Sequence, residues 1–375
     1  MNRPFVFGTA VDSDHFIGRE KEVRHLRENM LHGINTILMS PRRWGKTSLV
    51  NLVGKDVASE EIKVVHIDIF SCRDEYDFYN KFAASILRQT ESRIDEWKNL
   101  AADFLMRLTP KLSLNAGPGS EYSVSLGITP QTHQPEEVLA LPQRIAEKKH
   151  CHIVVCIDEF QQVGEFPDSL TVQKRMRSVW QHQSDVSYCL FGSRQHILES
   201  LFLKSSHPFY KFGDIMPLSP IATDLWVPYI QRGFQSEGKT ISASLASQLC
   251  AIVKNHPSYV QQLAWLTFLN TDVEVTPDTL ATSLSDLIDE NSMLFVQQTE
   301  SLTTYQLNFL RAVLAGVHDD YGKTSVREAY NLGSYANITR IKAALTSKEL
   351  IRIEQGATII ADPVLELWLR REHIQ

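Results

Sequence analysis

Gly45-Lys46-Thr47 has the residue types and the spacing needed to bind a phosphate group. It follows the apolar run Thr36–Met39 and precedes a helix-like apolar stretch at 49–53. In a strand–loop–helix context these residues are typical of a phosphate-binding loop, in which backbone N–H groups surround the anion, the lysine reaches the outer phosphates and the threonine hydroxyl can bind Mg²⁺. The alternative is a surface turn with the same tripeptide, so the other parts of a nucleotide site must be sought elsewhere in the chain.

The loop departs from the usual GxxxxGK[ST] pattern at its first position, where Ser40 replaces glycine. The turn out of the strand must therefore accommodate a side chain. The bulky, basic sequence also predicts a stiffer and more cationic loop than one rich in glycine, with Arg42 or Arg43 near the phosphates. The loop residues predicted to contact the nucleotide are Pro41, Arg42, Arg43, Trp44, Gly45, Lys46, Thr47 and Ser48.

Asp158 and Glu159 follow the continuously apolar run His152–Ile157, which is typical of a buried parallel strand. Ligands of parallel α/β sheets bind at the carboxyl ends of the strands. Downstream of a phosphate-binding loop, Asp158 is expected to bind Mg²⁺, directly or through water, and Glu159 to orient and activate the attacking water. The alternative is that the strand simply ends in polar residues.

Ser193 and Arg194 stand at the end of another strand-like run, 187–191. A polar and a cationic side chain at a strand end are candidates for sensing the γ-phosphate. The alternative is a helix N-cap serine followed by a solvated arginine.

The apolar runs alternate with helix-like stretches, which implies a parallel sheet. The five predicted strands are 36–39, 63–69, 152–157, 187–191 and 214–218. An alternating pattern around a Gly/Pro turn predicts a β-hairpin insertion near 111–128, which is either an assembly arm or a small structural flap. After residue 221 the pattern becomes helical.

The final segment reads as three helices followed by two short strands, which predicts a winged helix-turn-helix. Its Arg340, Lys342, Lys348 and Arg352 invite a DNA-binding hypothesis. From residue 300 to the end, however, nine Lys and Arg residues balance nine Asp and Glu residues, so the segment is neutral. Because DNA binding depends strongly on phosphate neutralisation, a packing or protein-contact role is favoured over DNA.

Composition limits the remaining classes. A hydrophobic fraction of 43%, with 22% charged residues, is typical of a globular protein. The net charge of −6 argues against indiscriminate binding to nucleic acid. The five cysteines have no CxxC spacing, which favours reduced thiols, and no signal peptide or membrane span is expected, which favours a cytoplasmic location. No dedicated metal site is predicted, so a metal is expected to arrive with the nucleotide.

Four segments in this order resemble the ATPase domain of prokaryotic STAND-type ATPases, a branch of the AAA+-related P-loop class, and in particular the group described as ATPases predominantly from Archaea. They are Phe16-Ile17-Gly18-Arg19-Glu20, the loop from Ser40 to Ser48, Ile157-Asp158-Glu159, and Phe191-Gly192-Ser193-Arg194. The segment at 255–263, which contains His256-Pro257, is similar to the helical lid of that family, and Asp362-Pro363 is similar to its C-terminal tail.

The resemblance assigns a role to each matching position. Lys46 binds phosphate and Thr47 with Asp158 binds Mg²⁺, while Glu159 acts on water and Ser193 with Arg194 forms the sensor. Ile17 and Gly18 would lie beside adenine, and His256 with Pro257 would close over the base. Many relatives have an arginine near 208–213 that serves a neighbouring subunit, whereas this chain has Lys211.

The expected fold is an α/β P-loop NTPase three-layer sandwich with a five-stranded parallel sheet in the order 5-1-4-3-2, a helical lid and a C-terminal winged helix. The expected domains are 1–220, 221–295 and 296–375. The expected function is an ATP- and Mg²⁺-dependent ATPase that works as a nucleotide-driven conformational switch with slow hydrolysis, together with a protein partner or a second copy and without a membrane. The alternatives are a DNA-associated AAA+-like ATPase of replication, transposition or partition, and a scaffold that binds nucleotide but barely hydrolyses it.

Overall fold

The computed structural model describes residues 4–9, 11, 15–90 and 135–373. The chain divides into two compact units. The sheet unit is Arg19–Ser219, and the helical unit combines Met1–Gly18 with Pro220–Gln375. The β-hairpin predicted at 111–128 lies outside the described residues, and the three-domain division stays a prediction.

Within the described residues, the sheet unit contains five strands, all paired in parallel: β1 (Thr36–Met39), β2 (Ile62–Asp68), β3 (His152–Asp158), β4 (Val186–Phe191) and β5 (Asp214–Pro217). Their order across the sheet is β2-β3-β4-β1-β5. This order, counted from the other edge, confirms the predicted 5-1-4-3-2. The strand before the phosphate-binding loop therefore lies between β4 and β5, and the strand that carries Asp158 is separated from it by β4 alone.

Helices connect the strands of this unit. They are α1 (Glu20–Leu31), α2 (Lys46–Val57), α3 (Glu75–Thr90), α4 (Pro135–Leu139), α5 (Leu141–Lys149), α6 (Ser169–Trp180) and α7 (Gln195–Leu203), with a short 3₁₀ helix at Phe160–Gly164. Strand β3 is buried on both faces, which explains its continuously apolar sequence. Ile153, Val155 and Ile157 join the largest core of the unit, whereas Val154 and Cys156 alternate with them along the strand.

An aromatic cluster fixes the chain directly after β3. Phe160 is fully buried, and its ring centroid lies 5.7 Å from that of Phe202 and 5.4 Å from that of Phe209. The ring of Trp180 stacks on Tyr188 of β4 with centroids 4.1 Å apart. Because Phe160 is held in this way, the residues on either side of it have little freedom to move.

The helical unit consists of α8 (Thr223–Gln235), α9 (Ala243–Ile252), α10 (Pro257–Leu269), α11 (Pro277–Glu300), α12 (Thr304–Leu314), α13 (Thr324–Ala329), α14 (Tyr335–Ser347), β6 (Ile351–Glu354), β7 (Ala357–Ile360) and α15 (Pro363–His373). The two strands form an antiparallel hairpin whose turn, Gln355-Gly356, has positive φ at both residues. Phe5 packs against Tyr229, Phe234 and Phe268 of the same unit.

The succession of α12, α13, α14, β6 and β7 has the element order of a winged helix, and that assignment stays a prediction. None of the helices in the described ranges is long and apolar enough to cross a lipid bilayer.

Candidate functional site

The loop between β1 and α2 has the backbone of an anion-binding turn. Gly45 directly precedes α2 with a φ of 84°, a left-handed conformation that favours glycine. A Cβ at this position would meet no atom within 4 Å, so there is room for a side chain. Glycine is favoured here by the left-handed backbone conformation alone. The first N–H groups of a helix have no partner inside the helix, and Gly45 has no side chain to cap them. The start of α2 is thus suited to an anion.

Lys46 lies folded into this loop. Its Nζ donates to the carbonyl oxygens of Ser40, at 2.9 Å, and of Pro41, at 2.8 Å, and lies 3.2 Å from the Ser40 hydroxyl. Ser40 and Lys46 are both buried. The side chain that replaces the usual glycine therefore fits within the turn and helps to hold the lysine. An incoming phosphate must draw Lys46 away from these oxygens.

Thr47 and Asp158 come together from opposite sides of β4. The Thr47 hydroxyl donates to Asp158 Oδ2 over 2.8 Å, and the Glu159 N–H donates to Asp158 Oδ1 over 2.8 Å. Burial is the largest effect on Asp158 and raises its pKa from the ordinary value of 3.8 to about 6. The two hydrogen bonds lower this pKa, and the negative charges of Glu159 and Asp68 raise it. Hard oxygen atoms on a desolvated carboxylate and a hydroxyl fit Mg²⁺, which takes few protein ligands and completes its shell with phosphate and water oxygens.

Glu159 turns its carboxylate towards the end of β4. Its backbone has a φ of 57°, and its Oε2 accepts hydrogen bonds from the Ser193 hydroxyl at 2.9 Å and the Ser193 N–H at 3.4 Å. The buried side chain of Gln161 donates to the same oxygen through its Nε2. Arg42 Nε in turn donates to the Ser193 hydroxyl over 3.2 Å. One chain of hydrogen bonds thus connects the phosphate-binding loop with the predicted water-activating carboxylate.

Arg194 is placed differently from Ser193. Its guanidinium forms a salt bridge with Glu165, just beyond the 3₁₀ helix, and both side chains are more than a third exposed. The structure therefore brings Ser193 to Glu159 and directs Arg194 to another partner. The sensor role of Arg194 stays a prediction.

Three further residues lie beside the predicted site residues. Gln161 follows Glu159 by two positions, and Asp68, at the end of β2, lies in register with Asp158. Arg19 is buried although it starts a helix, and its guanidinium donates to the carbonyls of Trp44, at 2.9 Å, and Ser219, at 3.1 Å. Burial lowers the pKa of Arg19.

Arg19 therefore connects the phosphate-binding loop with the last residue of the sheet unit. The sequence offers two weak signals for this contact. Arg19 lies within the segment Phe16–Glu20 that carries the resemblance, and it is a basic residue directly before α1, where an acidic residue is favoured.

The four residues predicted to surround the base belong to the helical unit. Gly18 has a φ of 61°, and a Cβ there would lie 2.9 Å from Leu225 Cδ1. His256 directly precedes α10, whose first residue is Pro257, and its ring lies 4.8 Å from that of Tyr259. The nucleotide roles of Ile17, Gly18, His256 and Pro257 stay predictions.

The basic side chains considered for a neighbouring subunit or for DNA make contacts within their own units. Lys211 Nζ lies 5.4 Å from the centre of the Tyr210 ring. Lys342 Nζ lies 4.5 Å from the centre of the Tyr321 ring, and burial lowers its pKa. Lys348 donates to Ser301, and Arg352 forms a salt bridge with Glu354 over 2.7 Å. Among the described residues, no group of three or more His, Cys, Asp or Glu side chains could hold a metal ion.

Several solved structures of other proteins have the same fold as this chain. The Walker-type ATPase of Pyrococcus abyssi is 16% identical, with 98% of this chain and 99% of that chain covered and a TM-score of 0.71. The ORC2 protein of Aeropyrum pernix in its ADPNP-ADP complexes is 14% identical, with 99% and 100% covered and a TM-score of 0.56. Its ADP form is 13% identical, with 97% and 98% covered and a TM-score of 0.54.

At these identities the likeness shows the fold alone, and the fold is that of a P-loop NTPase. Neither a protein-family model nor a curated protein sequence matches the chain.

Proposed function

We propose that this chain binds ATP together with Mg²⁺ and hydrolyses it slowly, as an ATPase of the STAND/AAA+-like type. The observation that carries the proposal is the contact of the Thr47 hydroxyl with Asp158, 2.8 Å apart, at the start of α2, with Glu159 as the next residue. The residues that we assign to the phosphates, to Mg²⁺ and to the base thus belong to one unit. The names of the two similar proteins, a Walker-type ATPase and a protein complexed with ADPNP and ADP, support adenine nucleotides as the substrate class.

Each residue has a task that follows from its chemistry. Lys46 and the first N–H groups of α2 bind the phosphates, and Arg42 lies close enough to the Ser193 side of the site to add a second positive charge. Thr47 and Asp158 would hold Mg²⁺, which neutralises phosphate charge when bound. Glu159 orients the attacking water and accepts its proton. Ser193 would sense the phosphates through Arg42, and its hydrogen bond to Glu159 is one of the contacts that turnover must replace.

The slow rate follows from the contacts that the chain makes by itself. Lys46 is bonded to its own loop, Asp158 to Thr47, and Glu159 to Ser193 and Gln161. Binding and turnover must both replace these internal bonds. We propose that the chain therefore acts as a nucleotide-driven conformational switch, in the cytoplasm, with a protein partner or a second copy of itself.

The test compares three proteins by ATP titration and by phosphate release. Wild type is expected to bind ATP in the presence of Mg²⁺, Lys46→Ala to lose at least about 100-fold in affinity, and Glu159→Gln to bind ATP but stop turning over. Lys55→Ala, on the exposed face of the same helix, is the matched control and should behave like wild type. Turnover by Glu159→Gln at the wild-type rate would contradict the mechanism.

DNA-associated activity is the second candidate, because the helices and the hairpin of the C-terminal segment have the element order of a winged helix. The engagement of Lys342, Lys348 and Arg352 within the helical unit weighs against it. Stimulation of hydrolysis by duplex DNA at low salt would favour the DNA-associated function over a protein-directed switch.

A further inference from the structure

Arg42 connects the phosphate-binding loop with the end of β4. Its Nε donates to the Ser193 hydroxyl over 3.2 Å, and the same hydroxyl donates to Glu159 Oε2 over 2.9 Å. Strands β1 and β4 are neighbours in the sheet, so the loop after β1 and the residues after β4 lie side by side. The Arg42 side chain is exposed, and one serine side chain separates its guanidinium from the predicted base.

This position assigns Arg42 to the γ-phosphate end of a bound nucleotide. Glu159 acts on a water molecule that attacks the γ-phosphorus, so this phosphate must lie within one water molecule of the carboxylate. Arg42 shares the Ser193 hydroxyl with Glu159 and therefore lies on the same side of the site. Lys46 lies within the loop itself, where its Nζ bonds two carbonyl oxygens of the loop backbone. The two basic side chains thus serve different parts of the phosphate chain.

Arg194, the other basic side chain predicted at the γ-phosphate, is directed to another partner. Its guanidinium forms a salt bridge with Glu165, and both side chains are more than a third exposed. Ser193, the residue directly before it, bonds Arg42 instead. Arg42 therefore supplies the positive charge on the Ser193 side of the site.

An arginine suits the chemistry at this end of the nucleotide. During phosphoryl transfer, negative charge spreads over the γ-phosphate oxygens while the bond to the bridging oxygen breaks. A guanidinium can bond two of these oxygens at once and stays protonated throughout. Because a bond between two charges is stronger than a bond to a neutral hydroxyl, a γ-phosphate would draw Arg42 away from Ser193.

We propose that Arg42 is a catalytic residue that stabilises the negative charge of the γ-phosphate within its own chain, so that hydrolysis needs no basic residue from a second copy. Water attacks the γ-phosphorus and gives a proton to Glu159, and the bond to the bridging oxygen breaks with its electron pair leaving on ADP. Arg42 exchanges no proton in this step. A partner or a second copy then controls the chain without completing its site. This inference rests on the proposed function.

The first experiment measures phosphate release by two variants of Arg42. The kcat of Arg42→Ala is expected to fall about 100-fold, as for the loss of a donor that stabilises a transition state. Arg42→Lys keeps the charge and loses the planar fork, so its kcat should fall about tenfold. Arg144→Ala removes an exposed arginine of α5 and is the matched control, with the kcat of wild type. A wild-type kcat for Arg42→Ala would overturn the proposal.

A second experiment measures nucleotide binding without turnover. In the Glu159→Gln background, Arg42→Ala should weaken ATP binding about tenfold and leave ADP binding within about twofold, because ADP has no γ-phosphate. The maintained ADP affinity also shows that the variant is folded. Equal losses for ATP and ADP would overturn the contact with the γ-phosphate.

A third experiment tests whether Arg42 acts within one chain. Arg42→Ala and Glu159→Gln are co-expressed and purified together, so that any assembly contains both variants. If Arg42 serves its own chain, every site lacks one of the two groups, and phosphate release should equal the sum of the two separate rates. Phosphate release well above that sum would show that Arg42 of one copy serves Glu159 of another, and would overturn the proposal.

The failure of the proposed function can be told apart from the failure of this inference. If wild type does not bind ATP, or if Glu159→Gln hydrolyses it normally, the proposed function fails and the role of Arg42 fails with it. If wild type and Glu159→Gln behave as expected and Arg42→Ala hydrolyses ATP as fast as wild type, the proposed function stands and the role of Arg42 alone is wrong.

Discussion

Two clusters of polar side chains, one in each unit, use similar hydrogen bonds to hold an aspartate. The strand-end cluster consists of Lys46, Thr47, Asp158, Glu159, Gln161 and Ser193, and in it Asp158 accepts from one hydroxyl and one backbone N–H. In the tail cluster, which consists of Lys254, Tyr259, Asp362 and Glu366, Asp362 accepts from one hydroxyl and two backbone N–H groups. The donors are nearly the same, and the surroundings differ.

Asp362 directly precedes α15, where the helix dipole and the first-turn N–H groups favour a negative charge. Asp158 is desolvated at a strand end beside the carboxylates of Glu159 and Asp68, and its pKa is raised to about 6. Asp362 thus connects two elements of its unit at little electrostatic cost. The buried negative charge of Asp158 destabilises the folded protein, and a bound cation would offset this destabilisation. The difference predicts that changes in the strand-end cluster alter stability in both directions, whereas changes in the tail cluster only lower it.

The largest expected effect tests how tightly the strand-end cluster is packed. A Cβ in Gly192→Ala would collide with the Gln161 amide and lie 3.2 Å from Glu159 Cα, so the free energy of unfolding should fall by about 2–3 kcal/mol. Urea unfolding measures this loss. Gly192→Ala combined with Gln161→Ala should recover most of it, because the colliding amide is gone. A single variant as stable as wild type would show that the end of β4 can yield.

The second-largest expected effect is a gain in stability. Asp158→Asn should raise the free energy of unfolding at pH 7 by about 1–2 kcal/mol, because it removes a carboxylate whose charged form is disfavoured by burial. At pH 7 the Asp158 carboxyl is ionised in both the folded and the unfolded protein, so the folded protein is destabilised by the full free energy of burying the charge. Between pH 6 and pH 4 the folded carboxyl takes up a proton before the unfolded one does, so the gain should shrink and then vanish.

Thermal melting at pH 7, 5.5 and 4 measures this trend. Asp68→Asn, which alters an exposed carboxylate in register with Asp158, is the control and should change stability much less. Asp158→Asn should also lose Mg²⁺-dependent turnover. A variant that gains as much stability at pH 4 as at pH 7 would show that the burial of charge is not the cause.

Much of the strand-end cluster could be predicted from sequence because its residues lie within short segments of regular spacing. Thr47 and Asp158 were expected together, since the carboxyl ends of parallel strands meet at one edge of the sheet, and the strand order is as expected. Gln161 could not be predicted in the same way. Its contact depends on how closely the 3₁₀ helix approaches Gly192 of another strand, and no local pattern encodes that distance.

The partners of Arg19 and Arg194 could not be predicted from the sequence either. The sequence marks Arg19 only as part of the segment Phe16–Glu20, and its buried contacts with Trp44 and Ser219 join residues 25 and 200 positions away. Arg194 is predicted to sense the γ-phosphate, and in the structure its guanidinium pairs with a glutamate 29 positions earlier in the chain. In both cases the side chain is long, and the partner is set by packing between elements.

The smallest expected effect is in the tail cluster, where Tyr259→Phe removes the hydroxyl that donates to Asp362 over 2.6 Å. Tyr259 is buried, so the free energy of unfolding should fall by about 1 kcal/mol at every pH between 6 and 8. Lys254→Ala, which breaks an exposed salt bridge to Glu366, is the matched comparison and should cost less than about 0.5 kcal/mol. Urea unfolding of both variants measures the difference. A Tyr259→Phe variant more stable than wild type would mean that Asp362, like Asp158, is held at a cost, and the contrast between the two clusters would be wrong.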